Sequence, residues 1–396
     1  MNPFVLAAKE ISDEIVRWRR QLHTFPEVGL DLPQTKRFVI DALNRMNVSY
    51  REYDGHSGIV ACIGNGKKTV ALRADMDALP MQEESGVPYA STNGNMHACG
   101  HDAHVAILLG VAQILKQQEK KLKGRVVLIF QPNEEGAGGA KRMIADGALN
   151  NVDCILALHV GNIAGEFPVG HIAVRYGPVF ASCEQVKISV TGKGGHASVP
   201  SRCVDAFAVS TLISNTLQYV VSREISPQEG AVLSVTSIKT ETEGISNIIP
   251  NSTTMYGDLR CELSSSRSFL HDRIRKIAEL TAEMMRATAI IDFDGFPPLL
   301  NNRRIVDIFL KSAKKIVPDD NIHVLDRGIF GGEDAAFFFE QVPGCYFFLA
   351  NAAPCLIDGK IYGHHHPKFC IDDSTLWLGT ALLCQAVGEL IENDTY

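Results

Sequence analysis

No pair of CxxC units occurs in the 396 residues, which excludes a small structural zinc knuckle. The first residues lack a secretory hydrophobic core and cleavage site. No apolar run reads as long enough to cross a bilayer, so no membrane partner is expected. Positive charge is in deficit: a formal net charge of −7 argues against nucleic acid as a partner. The glycines of Gly136–Lys141 fit neither a dinucleotide nor a P-loop pattern, and the carboxylates before them would repel phosphate. They read as a tight turn. No internal repeat or low-complexity segment is evident. What remains is an ordinary globular balance, 45% hydrophobic and 21% charged, in a length that implies two domains. Of ten cysteines, most lie in apolar stretches (Cys62, Cys154, Cys345, Cys384) and read as reduced, buried small hydrophobes. The expected compartment is the cytoplasm.

Against these absences stands the run His97-Ala98-Cys99-Gly100-His101-Asp102, a thiolate and two imidazoles within five residues. Adjacent carboxylates follow at Glu134 and Glu135, then an isolated His159, then His364-His365-His366. Cys, His and carboxylate together are the donor set of a zinc- or manganese-class ion. Cys99 and His101 alone would read as a buried Cys beside a capping His. Three further donors at predicted strand ends reverse that preference. Glu134 and Glu135 have different directions available, so one can bind metal while the other takes a proton from water. An acidic helix start is the plain alternative for this pair. A lone His159 would ordinarily be structural. Of the three histidines 364–366, at most two can face one site, and Lys193–Ser198 carries His196 on a glycine turn.

The pattern of polarity places these groups. Thr69–Arg73, Arg125–Phe130 and Cys154–Leu158 are continuous apolar runs, and Ala103–Leu115 has helical spacing. Buried strands separated by helices predict a mostly parallel sheet covered on both faces, with chemistry at the carboxyl ends of its strands. Asp75, Asp77, Glu134, Glu135 and His159 all fall there. Met1–Arg20 reads as one amphipathic helix. From about Ser182 the pattern changes to β-α-β-β-α-β, the split βαβ, ferredoxin-like order. We therefore expect an α/β catalytic domain over 1–181 and 295–396, with an inserted α+β domain over 182–294.

These motifs, in this order, resemble those of the dinuclear metal-dependent amidohydrolases and peptidases that include aminoacylase, hippurate hydrolase and the auxin-conjugate hydrolases. The resemblance rests on Arg19–His23 with Pro26-Glu27, Arg73–Pro80, Met96–Asp102, Gln131–Gly136, Leu158–Val160, Gly195–Pro200, Asn247–Pro250 and Gly332–Asp334. The Cys-Gly-His form is similar to that of the hippurate hydrolase-like branch. The resemblance implies two divalent ions (manganese, zinc, cobalt or nickel) held by Cys99, His101, Glu135, His159 and His365, with Cys99 bridging. It implies Glu134 as general base and proton donor, and His196 as the group that polarises the scissile carbonyl. Asn247 and Arg260 would bind substrate, Asp77 and Asp102 would support the ligands, and the inserted domain would act as a lid and dimer surface. Three departures stand out: His364 occupies a usually apolar position, Cys370 a usually acidic one, and Ala335 replaces a frequent aromatic.

The resulting expectation is a metal-dependent hydrolase of N-acyl amino acids, acting on a linear amide as a homodimer or higher homo-oligomer. A dipeptidase or carboxypeptidase is the alternative enzyme. A catalytically silent binding protein is disfavoured by the intact ligand set and Glu134. A redox role for Cys99 lacks a resolving cysteine nearby in sequence.

Overall fold

The runs that show no alternation of polarity are strands with both faces covered. A computed structural model describes residues 2–136 and 138–393; Ala137, within the glycine-rich turn, lies outside them. The chain divides into two compact units. Unit 1 comprises Met1–Val179, Leu300–Arg327 and Asp334–Tyr396, and unit 2 comprises Phe180–Leu299 and Gly328–Glu333.

Unit 1 is built on an eight-stranded sheet. Its first five strands are β1 (Ser49–Glu52), β2 (Ile59–Gly64), β3 (Thr69–Asp75), β4 (Arg125–Gln131) and β5 (Cys154–Gly161). The order is β1-β2-β4-β3-β5, continued by Gly344–Ala350, Ile172–Val174 and Ile322–Val324. The central run β4-β3-β5 and Gly344–Ala350 is parallel. Antiparallel pairing enters toward the margins, at β1–β2, at β2–β4 and between Ile172–Val174 and Gly344–Ala350. The register sets Leu72 beside Leu128 and Leu156. The carboxyl ends of β3, β4 and β5 therefore share one edge.

The helix His101–Gln117 is buried along nearly its whole length and packs against Leu376–Glu392 and Ser12–His23. The segment Asp373–Glu392 has the length and mean hydropathy of a membrane span, contrary to the expectation that no run does. Its most apolar window is 72% buried, so that hydropathy reflects a central core helix. The expected single N-terminal helix is two, Pro3–Glu10 and Ser12–His23, broken at Ile11, whose φ of −101° and ψ of 11° leave the helical region.

Unit 2 runs strand Cys183–Thr191, helix Ala206–Tyr219, strands Ala231–Thr240 and Ser252–Cys261, helix Ser264–Met284 and strand Thr288–Phe296. These four strands form one antiparallel sheet, with Ser252–Cys261 and Cys183–Thr191 in the centre. Val186, Ile188, Val190, Met255 and Leu259 turn one face of the sheet toward Val209, Ile213, Leu217, Leu270 and Ile274 of the helices.

Glu184, 2% exposed, ties this unit together by accepting from Arg267 at 2.7 Å and contacting His271 at 3.0 Å. Burial opposes its charge, but those partners win and hold its carboxyl below the usual range. Its stabilisation is therefore full above pH about 4.5 and fades as pH falls through the depressed value. Glu184→Gln should cost about 1–3 kcal/mol at pH 7. Denaturant melts of variant and wild type should converge toward pH 4; a gap unchanged between the two pH values would reject the assignment.

Candidate metal centre

The helix that starts at His101 fixes the thiolate just before it. Gly100, at φ +84°, takes the left-handed conformation that a side chain resists. A Cβ there would stand 2.5 Å from Val160 Cγ2. The close approach brings the Cys99 loop onto the end of β5, where Cys99 Sγ lies 3.4 Å from His159 Nε2. His159 donates from Nδ1 to the Val160 carbonyl at 2.8 Å, which leaves Nε2 as the free lone pair.

Asp77 organises the acidic side. Its carboxylate accepts from the amides of both Glu134 (2.9 Å) and Glu135 (3.1 Å), so one side chain sets the turn that carries the pair. Its own carbonyl accepts from His101 Nδ1 at 2.9 Å. His101 Nε2 is buried and makes no hydrogen bond; Asp75 Oδ2 is 3.6 Å away and Glu135 Oε1 4.0 Å. Glu135 Oε1 is likewise buried without a hydrogen bond, 3.1 Å from His365 Nε2.

Donor atoms gather in overlapping sets, each within 4.8 Å: Cys99, His101 and His159; Cys99, Glu135 and His365; His101, Glu134 and Glu135. Cys99 belongs to two of them. Two buried polar atoms without a hydrogen bond beside a shared sulfur are what a cation would satisfy, so the residues fit a metal pair. The electrostatics agree. Burial pushes the Cys99 thiol up and holds His159 well below the usual imidazole range. Burial also opposes a charged His101, but Asp75 and Cys99 outweigh it and raise its pKa. The Cys99 and Glu135 side chains beside it lift His365 to about 10.

Asp102 belongs to none of these sets. It pairs with Arg19 Nε at 2.8 Å and His23 Nδ1 at 2.8 Å. His97 is fully buried beside it, held down to about 3 by burial. In unit 2, Gly195–His196 pairs with Ile248–Ile249, and Asn247 accepts from Ala197 at 3.0 Å, which brings His196 and Asn247 together. His196 is exposed, its Nδ1 accepting from the Ser198 amide at 3.1 Å. Arg260 donates to Asp258 at 2.9 Å and to the Phe330 carbonyl at 3.2 Å.

Several residues at the centre were not singled out from sequence. His104, one turn beyond His101, bonds Asp75 Oδ1 through Nδ1 (2.5 Å) and accepts from the Val160 amide (3.0 Å). Arg73 is wholly buried between Asp75 (2.8 Å) and Asp334 (3.1 Å). Asp334 also accepts from Gln131 and Ala140. The i, i+3 spacing of His101 and His104 on one buried helix was the available signal. Nothing local joins residue 73 to residue 334.

The sequence pattern of Peptidase family M20/M25/M40 matches residues 71–389. The chain belongs to this family. It is 38% identical, over 94% of both chains, to thermostable carboxypeptidase 1 of Saccharolobus solfataricus. It is 36% identical to IAA-amino acid hydrolase ILR1-like 4 of Arabidopsis thaliana, covering 96% of this chain and 87% of that one. With the N-acetyl-L-cysteine deacetylase of Bacillus subtilis it shares 32% identity over 99% and 91% of the two chains. Among solved structures, a dinuclear metal binding peptidase of the M20 family from Bacillus subtilis superposes with a TM-score of 0.79. That match is 29% identical and covers 97% of this chain and 99% of that one. As an M20 family member the chain is a metal-binding hydrolase with a mixed α/β fold.

Proposed function

We propose that this chain hydrolyses the amide bond of N-acyl amino acids, hippurate-like substrates among them, to a carboxylic acid and an amino acid. The observation that carries the reading is the sharing of Cys99 between two donor sets, with Glu134 beside them. In this reading Cys99, His101, Glu135, His159 and His365 hold two divalent ions of the manganese, zinc, cobalt or nickel class, Cys99 bridging. Bound there, such a pair acidifies water and polarises a carbonyl. Glu134 accepts the proton of the attacking water and returns it to the leaving nitrogen as the C–N bond breaks. His196 donates to the developing oxyanion, Asn247 completes the pocket and Arg260 pairs with the substrate carboxylate. Unit 2 then serves as lid and as the surface of a homodimer. The buried, apolar setting of Cys154, Cys345 and Cys384 supports a reducing compartment.

A second reading, hydrolysis of short peptides, is favoured by the 38% identity to a thermostable carboxypeptidase. One assay separates the two. Chelator-stripped protein should release no amino acid from N-benzoyl, N-acetyl and indole-acyl amino acids. Reloading with manganese or zinc should restore release at rates above those for unblocked dipeptides. Faster dipeptide turnover would install the second reading, and no release from any metal form would remove both.

A further inference from the structure

One residue at the end of β5, Val160, gathers three histidines on its backbone. The Val160 carbonyl accepts from His159 Nδ1 at 2.8 Å and from His364 Nε2 at 3.0 Å, while the Val160 amide donates to His104 Nε2 at 3.0 Å. The His364 ring is packed between His159 (centroids 5.0 Å, 75°) and Phe369 (4.6 Å, 38°). Gly161 makes room for it: at φ +98°, a Cβ there would stand 2.4 Å from His364 Nε2.

His365 follows immediately and has φ +62°, a left-handed conformation uncommon outside glycine. Such a conformation persists only where its surroundings fix it. Two bonds do so. The His365 amide donates to the Ala98 carbonyl at 3.0 Å, one residue before Cys99, and His364 grips β5 one residue after His159. The turn thus spans two segments that carry other donors, and the direction of the His365 ring follows from both ties.

We propose that His364 is a positioning residue: its bond to the Val160 carbonyl clamps the strained turn that presents His365 to Glu135 and Cys99. The inference rests on the reading of His365 as a ligand. His364 has its Nε2 proton committed to the Val160 carbonyl and belongs to none of the donor sets, whereas His365 does, so it acts through its neighbour. A side chain of equal bulk without that donor would leave the turn tied at Ala98 and at Pro367, whose carbonyl accepts from the Glu84 amide at 2.8 Å, but released from β5. A donor placed at the same reach would keep it.

The test is zinc titration, against a chromophoric chelator, of the full chain stripped of metal. His364→Leu fills the volume without the bond, His364→Gln places an amide donor near the Nε2 position, and His364→Asn falls short of it. We expect His364→Leu and His364→Asn to weaken one zinc equivalent by about 10–100-fold. The other equivalent and the melting temperature of the metal-free protein should stay as in wild type, and His364→Gln should bind within about threefold of it. The cobalt-loaded visible spectrum should report the same split. His364→Leu binding both equivalents like wild type overturns the clamp, as does Gln performing no better than Asn. If Leu fails to fold, the Gln–Asn comparison decides alone. His365→Ala separates this inference from its premise. Two undiminished zinc equivalents in that variant would remove the ligand assignment and the clamp together. Loss of one, with His364→Leu unaffected, would remove the clamp only.

Discussion

Glu134→Gln should lower turnover of N-acyl amino acids by roughly 10²–10⁴-fold, the usual span for loss of a general base. Zinc stoichiometry and substrate affinity should stay near wild type. The substitution keeps shape and removes only the capacity to accept a proton. The backbone of the turn is held by Asp77, which binds the amides of both Glu134 and Glu135 and is untouched by the change. Glu134 sits with His101 and Glu135 inside one donor set, so geometry alone allows it to be a ligand. Stoichiometry decides. Loss of a zinc equivalent would make Glu134 a ligand, and near-native turnover would deny it the role of base.

Arg73→Met should produce the largest loss of stability in unit 1, about 3–5 kcal/mol, with loss of metal affinity as a consequence. Arg73, Asp75 and Asp334 have no exposed side-chain surface. Removing the guanidinium takes the shared cation from two buried carboxylates, leaving His104 beside Asp75 and the Gln131 and Ala140 amides on Asp334. Methionine matches the length of the stem and none of the charge. Guanidinium melts of the metal-free protein measure the effect. The Arg73→Met, Asp334→Asn double variant should recover part of the loss, because one of the stranded charges is then absent. A single-variant loss below about 1 kcal/mol would show the network to be dispensable.

Sequence made the parallel core legible because β3, β4 and β5 carry continuous apolar runs, and it placed Asp77, Glu134, Glu135 and His159 at their carboxyl ends. It located Cys99 and His101 by their residue types. What it left dark has a common cause. Periodicity reports burial, and it does not say which distant side chain a buried group meets. Asp102 was placed as a support for the ligands, but that Arg19 and His23 hold it could not be read from spacing. Arg73 reads as one cation in a strand, and its partner lies 261 positions away. In the run His364–His366, the turn that separates the directions of the first two rings depends on a φ of +62° at His365, which no spacing rule supplies. High mean hydropathy in Asp373–Glu392 was a property of the core rather than of a membrane.

The central helix Leu376–Glu392 packs against Pro3–Glu10, and Asn2 Nδ2 donates to Gln385 Oε1 at 2.7 Å. During synthesis on the ribosome the earliest segment of unit 1 must therefore wait for one of the last. Unit 2 is nearly contiguous, Phe180–Leu299 with six later residues, and its partners emerge together. Nascent chains should thus carry a folded insert inside an unfinished host. Stalling translation near residue 330 would leave the apolar face of His101–Gln117 bare, a surface for chaperones to cover until the closing helix arrives.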